Sequence, residues 1–346
     1  MDARTILLLA LSLICASQSP VPVDAPLGAE QRGRVIDDAL QALNEQYVFP
    51  DVAKEMTKEI GSRRAKKEYD SITSSSEFAR KLTEDLQAVC HDKHVRVRFN
   101  GSTPPTHGSG GGPGGGPGPM QQRMRETNFG FEKLERLPGN VGYLDLRAFA
   151  PVDLAAELAS SSMTLLANSD ALIIDLRANG GGSPEMVQYL CSYFFDGEPV
   201  HLNDLYFRVE NETRQFWTLG YVPGKRYLDK PIYLLTSSKT FSGAEEFAYD
   251  LQNQKRATIV GETTGGGANP GGSVGIAAGF EVFVPMGRAI NPVTKTNWEG
   301  KGVEPEVKCK AEEALGRAHK LALQSLLEKA EGPRKQALEQ ALAALK

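Results

Sequence analysis

The sequence lacks an excess of charge of either sign. Its 346 residues include 39 Lys and Arg against 43 Asp and Glu, which gives a formal net charge of -4. This balance provides neither a basic footprint for nucleic acid nor a polybasic patch for membranes. Charged residues make up 24% and hydrophobic residues 40%, which is ordinary for a soluble globular protein. The length suggests about two domains and a substantial core.

The body of the chain also lacks a long apolar run. The run that exists, Ile6 to Ala16, follows Arg4 and is typical of the apolar region of a secretory signal peptide. It is too short to span a bilayer, so no stable membrane span is expected. A lipoprotein reading of Cys15 is disfavoured because Ile14 before it is large. We therefore predict a signal peptide over residues 1–16 and a secreted or periplasmic protein, without separating those two locations.

Cysteines are few and widely spaced. After the leader they are Cys90, Cys191 and Cys309, about a hundred residues apart, which is not a disulfide framework. A single bridge stays open at this point. No CxxC motif or Cys/His cluster indicates zinc, and no metal or organic cofactor is expected.

Phosphate-binding motifs are missing too. NGGGSPE, from Asn179, lacks the third glycine of GxGxxG, and GETTGGGANPGG, from Gly261, lacks GK[ST]. A nucleotide site is therefore disfavoured.

The remaining pattern divides the chain into four parts after the leader. Apolar residues at helical spacing predict a helical N-terminal subdomain over 29–100, which closes with a half-buried strand at Val95 to Phe99. Gly108 to Pro119 contains only Gly, Pro and Ser, so residues 101–127 are predicted to be a tether. A core over 128–310 and a helical tail over 311–346 follow.

Two strand–turn–helix units stand out in the core. Ala171 to Leu176 is a buried, parallel-type strand, followed by a glycine turn and by Ser183-Pro184, which suits a helix start. Ile232 to Leu235 is a second strand, and Ser242 precedes a second helix. Repeated units of this kind indicate an α/β core.

Ser242 has two interpretations. A serine at a helix N-terminus lies near unpaired N–H groups that can stabilise an oxyanion, and Gly243 would let a substrate carbonyl approach. Ser242 and Glu245 are also typical of a capping box, a structural device, and local sequence alone favours that interpretation. A serine nucleophile needs a base. The candidates among the five histidines are His91 and His94, and the sequence pattern alone does not select one.

Four segments in order resemble the tail-specific (C-terminal processing) serine peptidase family. They are DALIIDLRANGGG, TSSKTFSGAEEFAYDLQ, RATIVGETTGGGANPGG and INPVTKTNWEGKGVEPEV. The order and spacing are most similar to the branch related to interphotoreceptor retinoid-binding protein and the tricorn core protease. The likeness runs from about residue 30 to 310, apart from the tether.

The resemblance implies an α/β, ClpP/crotonase-like core with a helical N-terminal subdomain. It implies Ser242 as nucleophile and His94, in the D-x-H segment that begins at Asp92, as general base. The backbone N–H groups of Gly181 and Gly243 would form the oxyanion hole, and Glu299 would orient the site.

The sequence departs from the family pattern at two places. The lysine of a Ser–Lys dyad would fall near Gly266 or Gly267, so the Ser–His mechanism is the remaining choice. The tricorn-type site has a serine where this chain has Lys93, which leaves open how Glu299 communicates with His94. A PDZ domain is excluded by length, because 29 residues separate Phe99 from Phe129 and twelve of them are the Gly/Pro/Ser run.

The expected function is therefore a serine endopeptidase acting on peptides or unfolded proteins, with an undetermined oligomeric state. The alternative is a non-catalytic carrier of hydrophobic ligands on the same fold. Acyl-CoA chemistry is a third class, and it would require CoA-dependent activity. Retention of Ser242, His94 and Glu299 together favours an enzyme.

Overall fold

The computed structural model describes residues 24–101 and 118–345. The signal peptide expected over 1–16 and most of the tether expected over 101–127 lie outside the described residues. Among those described, no helix is long and apolar enough to cross a membrane. The end of the expected tether is helical, because Pro119 suits the first turn of a helix there.

Helices begin and end the described chain. They are α1 (Ala29–Gln46), α2 (Pro50–Ala65), α3 (Ser75–Cys90), α4 (Pro119–Glu126), α5 (Val152–Leu166), α6 (Pro184–Cys191), α7 (Gly243–Asn253), α8 (Ala314–Leu327) and α9 (Gly332–Ala343). The strands are β1 (Arg96–Phe99), β2 (Phe131–Leu137), β3 (Val141–Leu146), β4 (Ala171–Asp175), β5 (His201–Phe207), β6 (Glu212–Trp217), β7 (Ile232–Thr236), β8 (Thr258–Gly261), β9 (Gly271–Ile276), β10 (Phe280–Pro285), β11 (Gly287–Ile290) and β12 (Val307–Lys308).

A six-stranded sheet forms the centre, in the order β12-β8-β7-β4-β3-β2. Its strands pair in parallel except β2, which is antiparallel to β3. Both faces are covered: Leu172 and Ile174 pack towards α5, α6 and α7, and Ala171 and Ile173 pack towards α8 and α9. Burial on both faces explains why β4 is a continuous apolar run rather than an alternating one.

A smaller antiparallel sheet, β1-β10-β9, packs against α1, α2 and α3 around a separate core. The expected half-buried strand is therefore present, but its partner is β10, far along the chain. The helical N-terminal region consequently shares its core with Phe280, Val282 and Val284. A third small sheet has the order β11-β5-β6.

The mixed α/β fold predicted from the sequence, with its N-terminal and C-terminal helices, is confirmed. Cys90, Cys191 and Cys309 are all free, so the bridge that the sequence left open does not form among them. The loops after β4 and β7 leave the same edge of the central sheet, where crevices of open α/β sheets usually bind ligands.

Candidate active site

Ser242 lies at the sharp turn between the loop after β7 and the start of α7. Its φ of 55° and ψ of -125° are strained for a residue with a side chain. Such a turn, between strand and helix, typically holds a nucleophile with its oxygen exposed. The Ser242 hydroxyl makes no capping hydrogen bond. Glu245 performs the other half of the capping box and accepts from the Ser242 N–H at 2.9 Å.

The glycine turn after β4 lies directly against this serine. Gly181 has a φ of 102°, and a Cβ built there would lie 2.8 Å from Ser242 Cβ and 2.7 Å from the Gly243 nitrogen. Only glycine permits that approach. The two loops are also joined by a hydrogen bond from the Phe241 N–H to the Asn179 carbonyl, at 3.1 Å.

The Gly181 N–H is already engaged in this geometry. It donates to Asn179 Oδ1 at 2.8 Å, and Asn179 is fully buried. The N–H groups of Gly182 and Gly243 donate to no atom of the described residues. A Cβ built at Gly243 would lie 3.1 Å from the Gly182 nitrogen, so these two donors are neighbours.

His94 faces the serine turn from the other side. It precedes β1, and its ring lies 4.6 Å from the Phe241 ring and 5.8 Å from the Phe283 ring, centroid to centroid. The side chain is 9% exposed, and neither ring nitrogen has a hydrogen-bond partner among the described residues. His91, the other candidate, is an exposed left-handed residue at the end of α3.

Asp92 begins the D-x-H segment that contains His94, and sequence reasoning assigned it no role of its own. It is 2% exposed, and its Oδ1 accepts from the His94 N–H at 2.9 Å. The same oxygen lies 3.6 Å from His94 Nδ1, too far for a hydrogen bond. Asp92 Oδ2 accepts from Asn269 Nδ2 at 2.9 Å and from the Tyr47 hydroxyl at 3.3 Å. Asp92 therefore fixes the histidine backbone and lies beside its ring.

Glu299 lies behind the same pair. Its Oε2 accepts from the Ala268 N–H at 2.5 Å, while Oε1 is buried and has no hydrogen-bond partner within residues 24–101 and 118–345. Burial, together with the nearby Asp92 charge, raises the pKa of Glu299 to about 8. Glu299 is therefore largely protonated at neutral pH.

Donor atoms of Asp92, His94 and Glu299 all lie within 4.8 Å of one another. Such a set could hold a divalent cation. Both Asp92 oxygens already accept hydrogen bonds from protein donors, however. No hydrogen bond joins the three side chains to one another among the described residues.

Glu245 is a second residue that the sequence missed as a functional neighbour. It is fully buried and accepts from Thr264 Oγ1 and from the N–H groups of Gly266 and Gly267 at 2.5 to 2.8 Å, as well as from Ser242. Burial raises its pKa, while these donors oppose the shift. Glu245 thus joins the helix start at Ser242 to the glycine-rich loop after β8. The S-x-x-E spacing of Ser242 and Glu245 is visible in the sequence, but it indicated only a helix cap.

The glycine-rich loop, in turn, lies against the histidine. A Cβ built at Gly267 would lie 2.7 Å from His94 Cε1 and 2.2 Å from Phe241 Cζ. Trp298 Nε1 donates to the Gly267 carbonyl at 2.7 Å, and Lys93 Nζ donates to the Gly265 carbonyl at 2.6 Å. The space that a side chain at 267 would need is therefore filled by the rings of His94 and Phe241.

A cavity of about 470 Å³ joins these parts. Ser242, Gly243, Gly182 and His94 line it, together with Glu246 of α7. Glu246 is buried, which raises its pKa to about 7, and its Oε1 accepts from Asn203 Nδ2 at 3.0 Å. Glu299 does not line the cavity and lies behind Ala268.

This arrangement, a strained serine at a helix start beside free backbone N–H groups and a buried histidine, is that of a serine hydrolase. Comparison with known proteins gives the family. Residues 140–309 match the model of peptidase family S41, and residues 29–126 match that of the N-terminal domain of peptidase S41 in eukaryotic IRBP. The chain belongs to peptidase family S41, which confirms the resemblance drawn from its motifs.

Individual relatives agree with this assignment. The chain is 33% identical to a tail-specific protease of Haemophilus influenzae over 104 residues, which are 28% of this chain and 13% of that protein. A lipoprotein from Streptococcus agalactiae has a similar fold, with a TM-score of 0.53 and 14% identity over 87% of this chain and 98% of the other. A candidate peptidase from Parabacteroides merdae gives a TM-score of 0.54 and 16% identity, over 81% and 90%. These two likenesses concern the fold alone.

Proposed function

We propose that the protein is a serine endopeptidase that hydrolyses peptide bonds by Ser–His acyl transfer. The observation that carries this proposal is one shared cavity. The cavity contains the Ser242 hydroxyl, at a strained helix start, and the His94 ring, whose nitrogens have no hydrogen-bond partner in the part of the chain that the structure describes.

In the proposed reaction, His94 accepts the proton of the Ser242 hydroxyl as the oxygen attacks the substrate carbonyl. A covalent acyl-enzyme forms when the amine leaves, and His94 protonates that amine. Water then attacks the acyl-enzyme while His94 accepts its proton. The Ser242 oxygen leaves and regains that proton, and the carboxylic acid is released. Hydrogen bonds between catalytic residues are often longer without substrate than in the reacting complex. The lack of a hydrogen bond to the His94 ring here is therefore compatible with this role.

The oxyanion would be held by backbone N–H groups at the start of α7 and in the glycine turn. We propose Gly243 and Gly182 as the donors, because both N–H groups lie close together and neither donates to another of the described residues. Gly181, implied by the resemblance, has its N–H bound to Asn179, and it would keep the turn close to Ser242. One such donor is typically worth about 100- to 1000-fold in rate.

Asp92 is the residue best placed to stabilise the histidine as it gains its proton. Glu299, protonated and next to Asp92, would position this pair rather than accept a proton itself. This assignment would give the two carboxyl groups different protonation states. Glu299 would then act on His94 through Asp92, although Lys93 replaces the serine of tricorn-type sites. Lys93 instead binds the glycine-rich loop.

A Ser–Lys mechanism is disfavoured by the same loop. The dyad lysine would fall near Gly266 or Gly267, and the room beside Gly267 is occupied by His94. The cavity lining combines charged side chains such as Arg96 and Arg98 with apolar ones such as Phe283, so its composition does not separate an enzyme from a carrier. The carrier alternative is disfavoured because it gives no role to the Ser242 hydroxyl and the His94 ring. We also propose an extracytoplasmic location, on the basis of the leader-like run Ile6 to Ala16.

The test compares the purified chain with Ser242→Ala and with Ser238→Ala, a matched control at an exposed serine of the same loop. Casein cleavage should fall by at least about 10⁴-fold in Ser242→Ala and stay near wild type in Ser238→Ala. A fluorophosphonate should label the wild type at Ser242, as located by peptide mass analysis.

Equal cleavage by wild type and Ser242→Ala would contradict the nucleophile assignment. Neither cleavage nor labelling in the wild type, combined with binding of an apolar ligand that survives Ser242→Ala, would support the carrier instead. Activity that requires CoA would support acyl-CoA chemistry.

A further inference from the structure

The strand β1 carries two arginines on its cavity side. Arg96 and Arg98 alternate with the buried Val97, whose side chain belongs to the core beneath the small sheet. Successive side chains of a strand point to opposite faces, so the two guanidinium groups share one face. Both line the cavity that also contains Ser242 and His94.

These arginines lack the ion pairs that arginines elsewhere in the molecule make. Arg63, Arg147 and Arg177 each lie within 4.0 Å of a carboxylate, whereas neither Arg96 nor Arg98 does so among the described residues. The undescribed stretch 102–117 contains no Asp or Glu that could provide a partner.

The other charged groups of the cavity do not neutralise the pair. Lys93 adds a third cation, although its amine is bound to the Gly265 carbonyl. Glu281 is opposite Arg98 in the β1–β10 register but forms no ion pair with it, and Glu246 is buried at the other wall. Burial and the neighbouring Arg98 lower the pKa of Arg96, which indicates that the two guanidinium groups repel each other.

The main chain of β1 is not available for substrate pairing on its outer side. Thr83 of α3 accepts from the Val97 N–H at 2.8 Å and donates to the Val97 carbonyl at 3.2 Å. The Val95 carbonyl accepts from Gln87 of α3 at 2.9 Å. Because α3 covers this edge, the recognition surface that β1 offers to the cavity is its side chains.

We infer that Arg96 and Arg98 bind a carboxylate of the peptide substrate, so that the enzyme prefers peptides with an acidic group near the cleaved bond. The inference rests on the proposed peptidase function and adds a substrate class to it. The group is either an acidic side chain or a free C-terminal carboxylate. Residues two apart on a strand are about 6.6 Å apart, so the two long arginine side chains can reach one shared carboxylate. Arginine suits this role because its planar fork binds carboxylates in a bidentate manner.

The experiment measures binding without cleavage. The Ser242→Ala chain is titrated at low salt into three labelled peptides of one sequence. The first is neutral with an amidated end, the second has one internal glutamate and an amidated end, and the third is neutral with a free C-terminus. At least one carboxylate peptide should bind about tenfold or more tighter than the neutral peptide, and which one does so identifies the source of the carboxylate.

Arg96→Gln and Arg98→Gln, each added to Ser242→Ala, should remove that preference, and 0.5 M salt should weaken it. Arg136→Gln, at an exposed arginine on β2 outside this cavity, should retain it. Equal affinity for all three peptides, including no binding of any, would overturn the inference. So would a preference that survives both cavity substitutions. Casein cleavage by the wild-type chain tests the peptidase function separately, so the two failures are distinguishable.

Discussion

The two walls of the cavity are built in different ways. The nucleophile wall, named for the proposed nucleophile, consists of Ser242, Gly243 and the glycine turn at 180–182, which are two strand–helix turns at one edge of the central sheet. The base wall, named for the proposed base, consists of His94 and the arginines of β1, with Asp92 buried behind them, and it is held in place by pairing with β10. Each turn of the nucleophile wall is formed by residues close together in the chain, whereas the base wall depends on pairing between distant strands.

The strongest test of this comparison is the base itself. His94→Ala should lower the rate of peptide cleavage by about 10²- to 10⁴-fold, because the serine loses its proton acceptor. His91→Ala, at the exposed residue that ends α3, should change the rate little. Steady-state cleavage of one fluorogenic peptide measures both. If His91→Ala lowered the rate and His94→Ala did not, the assignment of His94 as the base would be wrong.

Gly267→Ala tests the contact between the two walls, because Gly267 lies against both Phe241 and His94. The added methyl would lie within 2.7 Å of His94 Cε1, so the ring must shift. A displacement of about 1 Å costs about 100-fold in rate. We expect a lower kcat, measured well below the melting temperature, and also a lower melting temperature, because the methyl would lie 2.2 Å from Phe241 Cζ as well. Gly316→Ala in α8 meets no atom within 4 Å and should leave kcat unchanged. Wild-type kcat in Gly267→Ala would show that the base tolerates displacement.

The smallest expected effect concerns Glu299, which lies behind the cavity lining and is kept protonated by its burial. Its pKa is about 8 in the folded chain and about 4.5 when exposed. Between these values the folded state holds a proton that the unfolded chain has lost, so this residue makes stability fall as the pH rises from about 4.5 to about 8. Glu299→Gln removes that loss, which is on the order of 1–3 kcal/mol by pH 8.

Urea unfolding of both chains between pH 5 and pH 8 measures the Glu299 effect. The advantage of Glu299→Gln should grow with pH, whereas Glu339→Gln, at an exposed position of α9, should follow the wild type. A difference that is constant with pH would mean that Glu299 keeps its charge in the folded state.

Sequence patterns predicted most of the nucleophile wall. Ser183 caps α6 by accepting from the Met186 N–H at 3.3 Å, as its position before Pro184 indicated. The parallel strands at 171–175 and 232–236 and the helix after Ser242 also lie where periodicity placed them. These features depend on residues close together in the chain, so short windows contain the information.

The base wall was less accessible to such reasoning. The strand at Val95 to Phe99 was predicted, but its pairing with β10 was not, because pairing between distant strands leaves no local pattern. The hydrogen bonds of Asp92 with Asn269 and Tyr47 join three separate segments. Family resemblance, rather than periodicity, pointed to His94. The Gly181 N–H bond to Asn179 was also missed, because it depends on which way an amide side chain turns.

The pairing of β1 with β10 has a consequence for the order of folding. The two strands are far apart in the chain, so the entropy cost of closing the loop between them comes before their contacts can stabilise the pair, and such pairings form late. Until the segment around Phe283 has been synthesised and paired, Arg96 has no strand beside it and His94 lacks one of the two aromatic rings that flank it. A growing chain therefore carries Ser242 and His94 before the strand pairing that holds them in one cavity has formed. If the proposed function holds, we expect catalytic competence at the end of folding rather than during synthesis.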